Sequence, residues 1–250
     1  MGSLWLASLK LRDVSIVDLY WGPGFAVIAW VAWTLGEGGA RATLVVALAT
    51  LWGMRLGAYL FIRNYGKPED YRYAAMRRQH GDRFATLSLF TVFLLQGILM
   101  WIVSAPLQVV QMGGGDLNAL DALGFVLFAV GFIFESVGDY QLARFKAVPA
   151  NAGQVMDRGL WAWTRHPNYF GDFTLWWGFG AFALAVGAYW ALVGPLVMSI
   201  FLMRISGAAL LEKGLRRSKP KYAEYEASTS AFFPFPPRKH LHAWRPPGPS

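Results

Sequence analysis

Runs of roughly 20 apolar residues recur along this chain, each long enough to cross a bilayer as a helix, with polar and mostly basic stretches between them. Inside a bilayer the backbone must satisfy its own hydrogen bonds, and a helix does so within one segment. The chain is 55% hydrophobic and 15% charged, against about 25% charged residues in an ordinary soluble domain. The fold class that follows is all-α: a polytopic membrane protein with about six transmembrane helices. The spans are read as Val14 to Leu35, Ala42 to Ile62, Phe84 to Val110, Ala119 to Phe145, Asn168 to Gly187 and Tyr189 to Leu211.

Charge sets the expected orientation. With six spans, the N-terminus, the Arg63 to Arg83 loop, the Lys146 to Pro167 loop and the tail from Glu212 share one side. They hold nearly all the Lys and Arg. The loop around Gly113-Gly114-Gly115-Asp116 and the turn between the last two spans hold none, and the first outer loop has only Arg41. Basic loops stay inside, so both termini are expected in the cytoplasm, in a bacterial inner membrane. Lys10 and Arg12 precede a first span that reads as retained rather than as a cleaved signal. Residues 1–235 form one expected membrane domain, and the Pro-rich stretch 236–250 an expected disordered tail. The net charge of +8 fits basic loops against anionic lipid, not a nucleic-acid partner. With no cysteine in the chain, disulfides, thiolate metal sites and cysteine nucleophiles are excluded.

Charged residues inside spans are expensive and face a cavity or a partner. Asp18, Arg55, Glu135 and Asp139 all fall in the half of their span nearer the basic side. Glu135 and Asp139 are four residues apart, on one helical face, with Arg144 at the mouth. Two readings fit: a polar cavity open to the cytosol, or ion pairs that hold the bundle together.

The segment Gly159-Leu-Trp-Ala-Trp-Thr-Arg-His-Pro-Asn-Tyr-Phe-Gly-Asp172 lies at the same edge. Arg165 and His166 can hold an anion. Pro167 suits the first turn of a new helix, which carries Asn168, Tyr169 and Asp172. Helix N-termini favour phosphate. In the tail, Tyr222 and Tyr225 are three apart on one helical face, near Lys219 and Lys221. They suit either stacking on a nucleotide or anchoring at the interface. No spacing of His, Asp and Glu suggests a metal. No nucleophile elbow or G-x-G-x-x-G after a strand is present.

Several stretches resemble the C-terminal half of the steroid 5-alpha-reductase family, most of all a bacterial branch known only as a domain of unknown function. They are Asp139-Tyr-Gln-Leu-Ala-Arg-Phe-Lys146, Gly159-Leu-Trp, Asn168-Tyr-Phe-Gly-Asp172, Glu212 and Tyr222-x-x-Tyr225. The likeness covers about 134–235. Val17-Asp-Leu-Tyr-Trp-Gly22 and Pro68-Glu-Asp-Tyr-Arg-Tyr73 also resemble that branch. It implies a membrane reductase that uses NADPH to saturate a carbon–carbon double bond conjugated to a carbonyl in a steroid-like or other lipid. By that match Asp139, Arg144, Arg165, Asn168, Asp172, Glu212, Tyr222 and Tyr225 line the dinucleotide site, with Asp172 where the family usually has Glu, and His166 and Tyr169, read from the segment itself, complete the expected cofactor-binding residues.

The expected acid for the substrate carbonyl is Glu135, then Tyr20 or Tyr59. Arg165-His166-Pro167 also resembles the Arg-His-Pro-x-Tyr of isoprenylcysteine carboxyl methyltransferases and sterol reductases, so an S-adenosylmethionine-dependent lipid methyltransferase stands as the alternative. A non-enzymatic membrane lipid-binding protein is a second alternative. The expected partners are a lipid-soluble small molecule and membrane lipid.

Overall fold

The computed structural model describes residues 1–205 and 208–237. The expected tail at 236–250 lies outside them from residue 238 onward, as do His240 and His242. Among the described residues every regular element is helical. In chain order these are α1 (Gly2–Leu11), α2 (Ile16–Leu19), α3 (Trp21–Leu35), α4 (Ala40–Asn64), α5 (Tyr71–Val103), α6 (Ala105–Val109), α7 (Ala119–Lys146), α8 (Pro167–Ala185), α9 (Tyr189–Arg204), α10 (Ala208–Ser218) and α11 (Tyr222–Ser228).

Three of them, α4, α5 and α7, are long and apolar enough to cross a membrane. At about 1.5 Å rise per residue, the 28 residues of α7 reach about 42 Å. These helices suggest an integral membrane protein. The apolar helices α3 and α9 are shorter.

The chain divides into two compact units, Met1–Gly124 with Phe179–Val197, and Phe125–Gly178 with Met198–Ser250.

In the first unit the main packing is between α3 and α4. Gly22 and Gly53 let the two backbones touch: a Cβ on Gly22 would fall 2.3 Å from the Gly53 carbonyl oxygen. Small residues at a crossing permit this approach. Phe25 then packs on Trp52 with ring centroids 5.7 Å apart. Arg41 and Asp121, both buried, form a two-point ion pair at 2.7 Å, and the remaining Arg41 donors reach the carbonyls of Gly114 and Asp116.

The first span, read as interrupted by Asp18 and by Gly22-Pro23-Gly24, is divided into α2 and α3, and a further helix, α1, precedes it. Arg12 ends α1 in the left-handed region, at φ 53°. Trp5 on α1 donates through Nε1 to the Ala85 carbonyl, which ties α1 to α5. The Arg63 to Arg83 stretch, read as a loop, contains the first turns of α5. Asp70 caps them by accepting from the Arg72 N–H at 2.9 Å, and a side-chain acceptor at this position satisfies an otherwise orphaned donor. Phe84 to Val110, read as one span, is interrupted after Val103. Pro106 has no N–H to continue the ladder and instead occupies the first turn of α6.

Candidate functional site

The second unit carries a polar cluster drawn from four stretches of sequence. It begins where α7 crosses α8. A Cβ on Gly171 would stand 2.4 Å from the Glu135 nitrogen and 2.5 Å from the Gly131 carbonyl. Only glycines allow so close a crossing, and it sets Glu135 against the start of α8. Glu135 and Asp139 are both buried, 3% and 4% exposed. One turn along, the Asn168 amide donates to Asp139 Oδ1 at 3.2 Å. Asp172 lies a further turn down α8 and is half-buried.

The segment leading into α8 is held by its backbone and by side chains of α7. Trp161 donates through Nε1 to the Gly138 carbonyl at 3.0 Å, and Gln141 accepts from the Leu160 N–H. The segment after α11 runs beside it. Arg165 N–H donates to the Ser230 carbonyl, Thr164 Oγ1 to the Phe232 carbonyl, and Phe235 N–H to the Trp163 carbonyl. Phe232 and Phe233 close over Phe170 and Phe173 in edge-to-face contacts. These bonds fix the backbone on both sides of Arg165 and His166.

The two side chains then meet one carboxylate. Arg165 Nε and His166 Nε2 each lie 2.9 Å from Glu212 Oε1, and Arg165 Nη2 donates to Oε2 at 3.3 Å. Arg165 also bonds the Glu226 carbonyl at 3.0 Å and lies 3.6 Å from its carboxylate. Arg216, on the exposed side, pairs with Glu226. The Arg165 charge is therefore already matched by two carboxylates. Burial pushes the Glu212 carboxyl up. The hydrogen bond from His166 and the Arg165 charge outweigh it, so Glu212 stays below the ordinary glutamate value.

His166 is 1% exposed, and its ring lies parallel to that of Tyr169 at 5.4 Å. Its Nδ1 atom is buried with no hydrogen-bond partner among the described residues. The same is true of the Tyr222 hydroxyl, whereas Tyr225 donates to the Trp161 carbonyl at 2.6 Å. Burial pushes the pKa of both tyrosines well above that of an ordinary phenol, so both remain protonated donors at neutral pH. Arg144, at the end of α7, is exposed and turned to Tyr140 at 3.1 Å.

Of the expected cofactor residues, the structure thus joins Asp139 to Asn168, and Arg165 and His166 to Glu212, with Tyr169 stacked on His166. Tyr222 stands beside Tyr225, ring centroids 5.8 Å apart. Tyr20 and Tyr59 belong to the first unit. Tyr20 lies between α2 and α3, and Tyr59 on α4 carries the Arg63 guanidinium 5.8 Å over its ring. Glu226, Arg216 and Gln141 were not expected at the site. Each is an ordinary surface-type residue in sequence, and only the placing of α11 against Arg165 and α10 gives the first two a role.

The first unit has a polar network of its own. Tyr73 donates to Asp18 Oδ1 at 2.9 Å and Arg72 to Oδ2 at 3.0 Å. Gln96 reaches the Tyr73 hydroxyl at 3.3 Å and accepts from Trp21 Nε1 at 2.6 Å. Asp18 is thus a paired group.

Residues 4–229 match a family described as a protein of unknown function, DUF1295. The chain belongs to this family. Among similar proteins, an uncharacterised protein of Schizosaccharomyces pombe is 26% identical over 263 residues, 92% of this chain and 75% of that one. A probable O-methyltransferase of Ustilaginoidea virens is 36% identical over 80 residues, 31% of this chain and 28% of its own length. No solved structure matches this DUF1295 chain significantly.

Proposed function

We propose that this DUF1295 protein is a membrane reductase that uses NADPH to saturate a carbon–carbon double bond conjugated to a carbonyl in a lipid-soluble substrate. The observation that carries the reading is the second unit's polar cluster, in which two buried polar atoms, His166 Nδ1 and Tyr222 Oη, have no partner among the described residues. Buried polar groups in folded proteins are almost always satisfied, so such a pair marks a place for a ligand. Asp139, Asn168 and Asp172 lie at positions that the likeness to steroid 5-alpha-reductases gives to the dinucleotide, which favours NADPH.

In this reading His166, Asn168 and Tyr222 hold the nucleoside part of the cofactor. Basic side chains at the mouth, Arg144 and Lys146 among them, face its phosphates. The bound cofactor supplies a hydride. Glu135, buried one turn from Asp139, holds the proton for the carbonyl oxygen as charge develops there. The six spans, both termini in the cytoplasm and a site open to the cytosol belong to the same proposal. They rest on the basic stretches around the cluster.

A second reading has its own support. The likeness to a probable O-methyltransferase and the neutralised Arg165 favour S-adenosylmethionine, a cofactor without phosphates. Purified protein in detergent, titrated separately with tritiated NADPH and with labelled S-adenosylmethionine, tests the two. Saturable NADPH binding together with hydride transfer to an enone lipid is the expected result. Saturable binding of S-adenosylmethionine alone would replace the reductase with the methyltransferase.

A further inference from the structure

The ring orientation of His166 carries information about what it touches. Nε2 faces Glu212 Oε1 at 2.9 Å. Glu212 is held as a carboxylate by Arg165, and a carboxylate can only accept. On a neutral imidazole the hydrogen is therefore on Nε2, which leaves a lone pair on Nδ1. That Nδ1 atom is buried and has no donor opposite it among the described residues. The backbone N–H of His166 is committed to Thr164 Oγ1 at 3.3 Å, and the ring is stacked on Tyr169. The ring cannot turn to present its other nitrogen without breaking the Glu212 bond.

We infer that Glu212 fixes the tautomer of His166, so that Nδ1 accepts a hydrogen bond from an N–H or O–H of the ligand, and that Arg165 is a strut for Glu212 and not a phosphate receptor. The inference deepens the cofactor reading above and rests on it. It names the part of the ligand that the cluster reads: a neutral donor such as the amino group of an adenine or a hydroxyl of a ribose. The orienting partner of an imidazole sets which nitrogen is left for the ligand, as carboxylates bonded to the far nitrogen of a ligating histidine do at metal sites. Glu212 acts through His166 and is a positioning residue.

The test is nitrogen NMR of protein labelled with 15N-histidine, with His166 assigned by its loss in His166→Asn. Without ligand, wild type should show the Nε2–H tautomer. In Glu212→Ala the acceptor opposite Nε2 is gone, so the ring hydrogen should no longer be confined to Nε2. Glu212→Asp, which keeps the carboxylate, should return the wild-type tautomer. Should Glu212→Ala fail to fold, the wild-type spectrum still decides, because a hydrogen on Nδ1 there, in the other tautomer or in a charged ring, overturns the inference.

Adding the cofactor that binds, NADPH or S-adenosylmethionine, should shift the Nδ1 resonance. Glu212→Ala should weaken that cofactor by up to roughly tenfold, since a buried donor would then face a donor wherever the ring hydrogen sits on Nδ1. Saturable binding that leaves Nδ1 unmoved overturns the inference and leaves the cofactor reading standing. A melting temperature unmoved by both cofactors overturns the cofactor reading and the ligand half of this inference with it.

Discussion

Arg41 and Asp121, 80 residues apart in sequence, meet as a buried two-point ion pair at 2.7 Å. Their side chains are 3% and 4% exposed. The pair joins the start of α4 to the start of α7 within the first unit, and two further Arg41 bonds tie it to the Gly114–Asp116 turn. Breaking a buried pair from one side strands the other charge, which costs about 3–5 kcal/mol. Asp121→Ala should therefore lower the melting temperature in detergent far more than any exposed change. The double variant Arg41→Met with Asp121→Leu should recover much of the loss. A double variant as unstable as the single would show that the Arg41 bonds to the turn, and not the pair, hold this end.

The α7–α8 crossing predicts a second effect. A methyl group on Gly171 would fall inside the contact distance of backbone atoms of Gly131 and Glu135. Backbone cannot yield as a side-chain tip can, so Gly171→Ala should cost at least the 1–3 kcal/mol or so typical of overpacking. Gly214→Ala, where nothing lies within 4 Å, is the control and should leave the melting temperature unchanged or raised. Because Gly171 abuts Glu135, the Gly171 variant should also reduce turnover more than it reduces cofactor binding.

Much of this was readable in one dimension and much was not. Apolar length alone exposes α4, α5 and α7, because crossing a bilayer demands it. Breaks inside apolar stretches follow from single residues. Pro106 was there to be read, and the division at Tyr20 between α2 and α3 falls between Asp18 and Gly22-Pro23-Gly24, which mark an interruption in the sequence. α1 was hidden because ten residues, Gly2–Leu11, form a stable helix only through packing on α5. At the site the residue types were legible, since Arg165, His166 and Glu212 stand out in an apolar chain. Their partnership was not: His166 and Glu212 are 46 residues apart. Nothing local distinguishes an anion receptor from a guanidinium already shared by Glu212 and Glu226.

Glu212 also makes stability depend on pH, with a definite sign. Its folded carboxyl titrates below the unfolded one, so the unfolded chain binds the proton more tightly. The stabilisation is fully present above the ordinary glutamate value of about 4.3 and is lost as pH falls through the lower folded value. The difference in melting temperature between wild type and Glu212→Gln should be constant from neutral pH down to about 5 and shrink below it. A difference that instead grew on acidification would mean that Glu212 is stabilised as the neutral acid.

Tyr222 and Tyr225 make the sharpest contrast, because they share a helix, a residue type and burial, and differ in one bond. The Tyr225 hydroxyl donates to the Trp161 carbonyl at 2.6 Å, so Tyr225→Phe orphans a buried acceptor and should cost about 1–3 kcal/mol of stability. The Tyr222 hydroxyl has no partner among the described residues. Removing a buried, unsatisfied polar group costs nothing and relieves a desolvation penalty, so Tyr222→Phe should melt at or above wild type. Cofactor binding should reverse the order. Tyr222→Phe should weaken it by roughly tenfold, the worth of one buried hydrogen bond, whereas Tyr225→Phe should leave affinity close to wild type at temperatures where it stays folded. Melting curves with and without NADPH or S-adenosylmethionine read both quantities on the same samples. A Tyr222→Phe protein that binds cofactor as tightly as wild type would show that this hydroxyl serves no ligand.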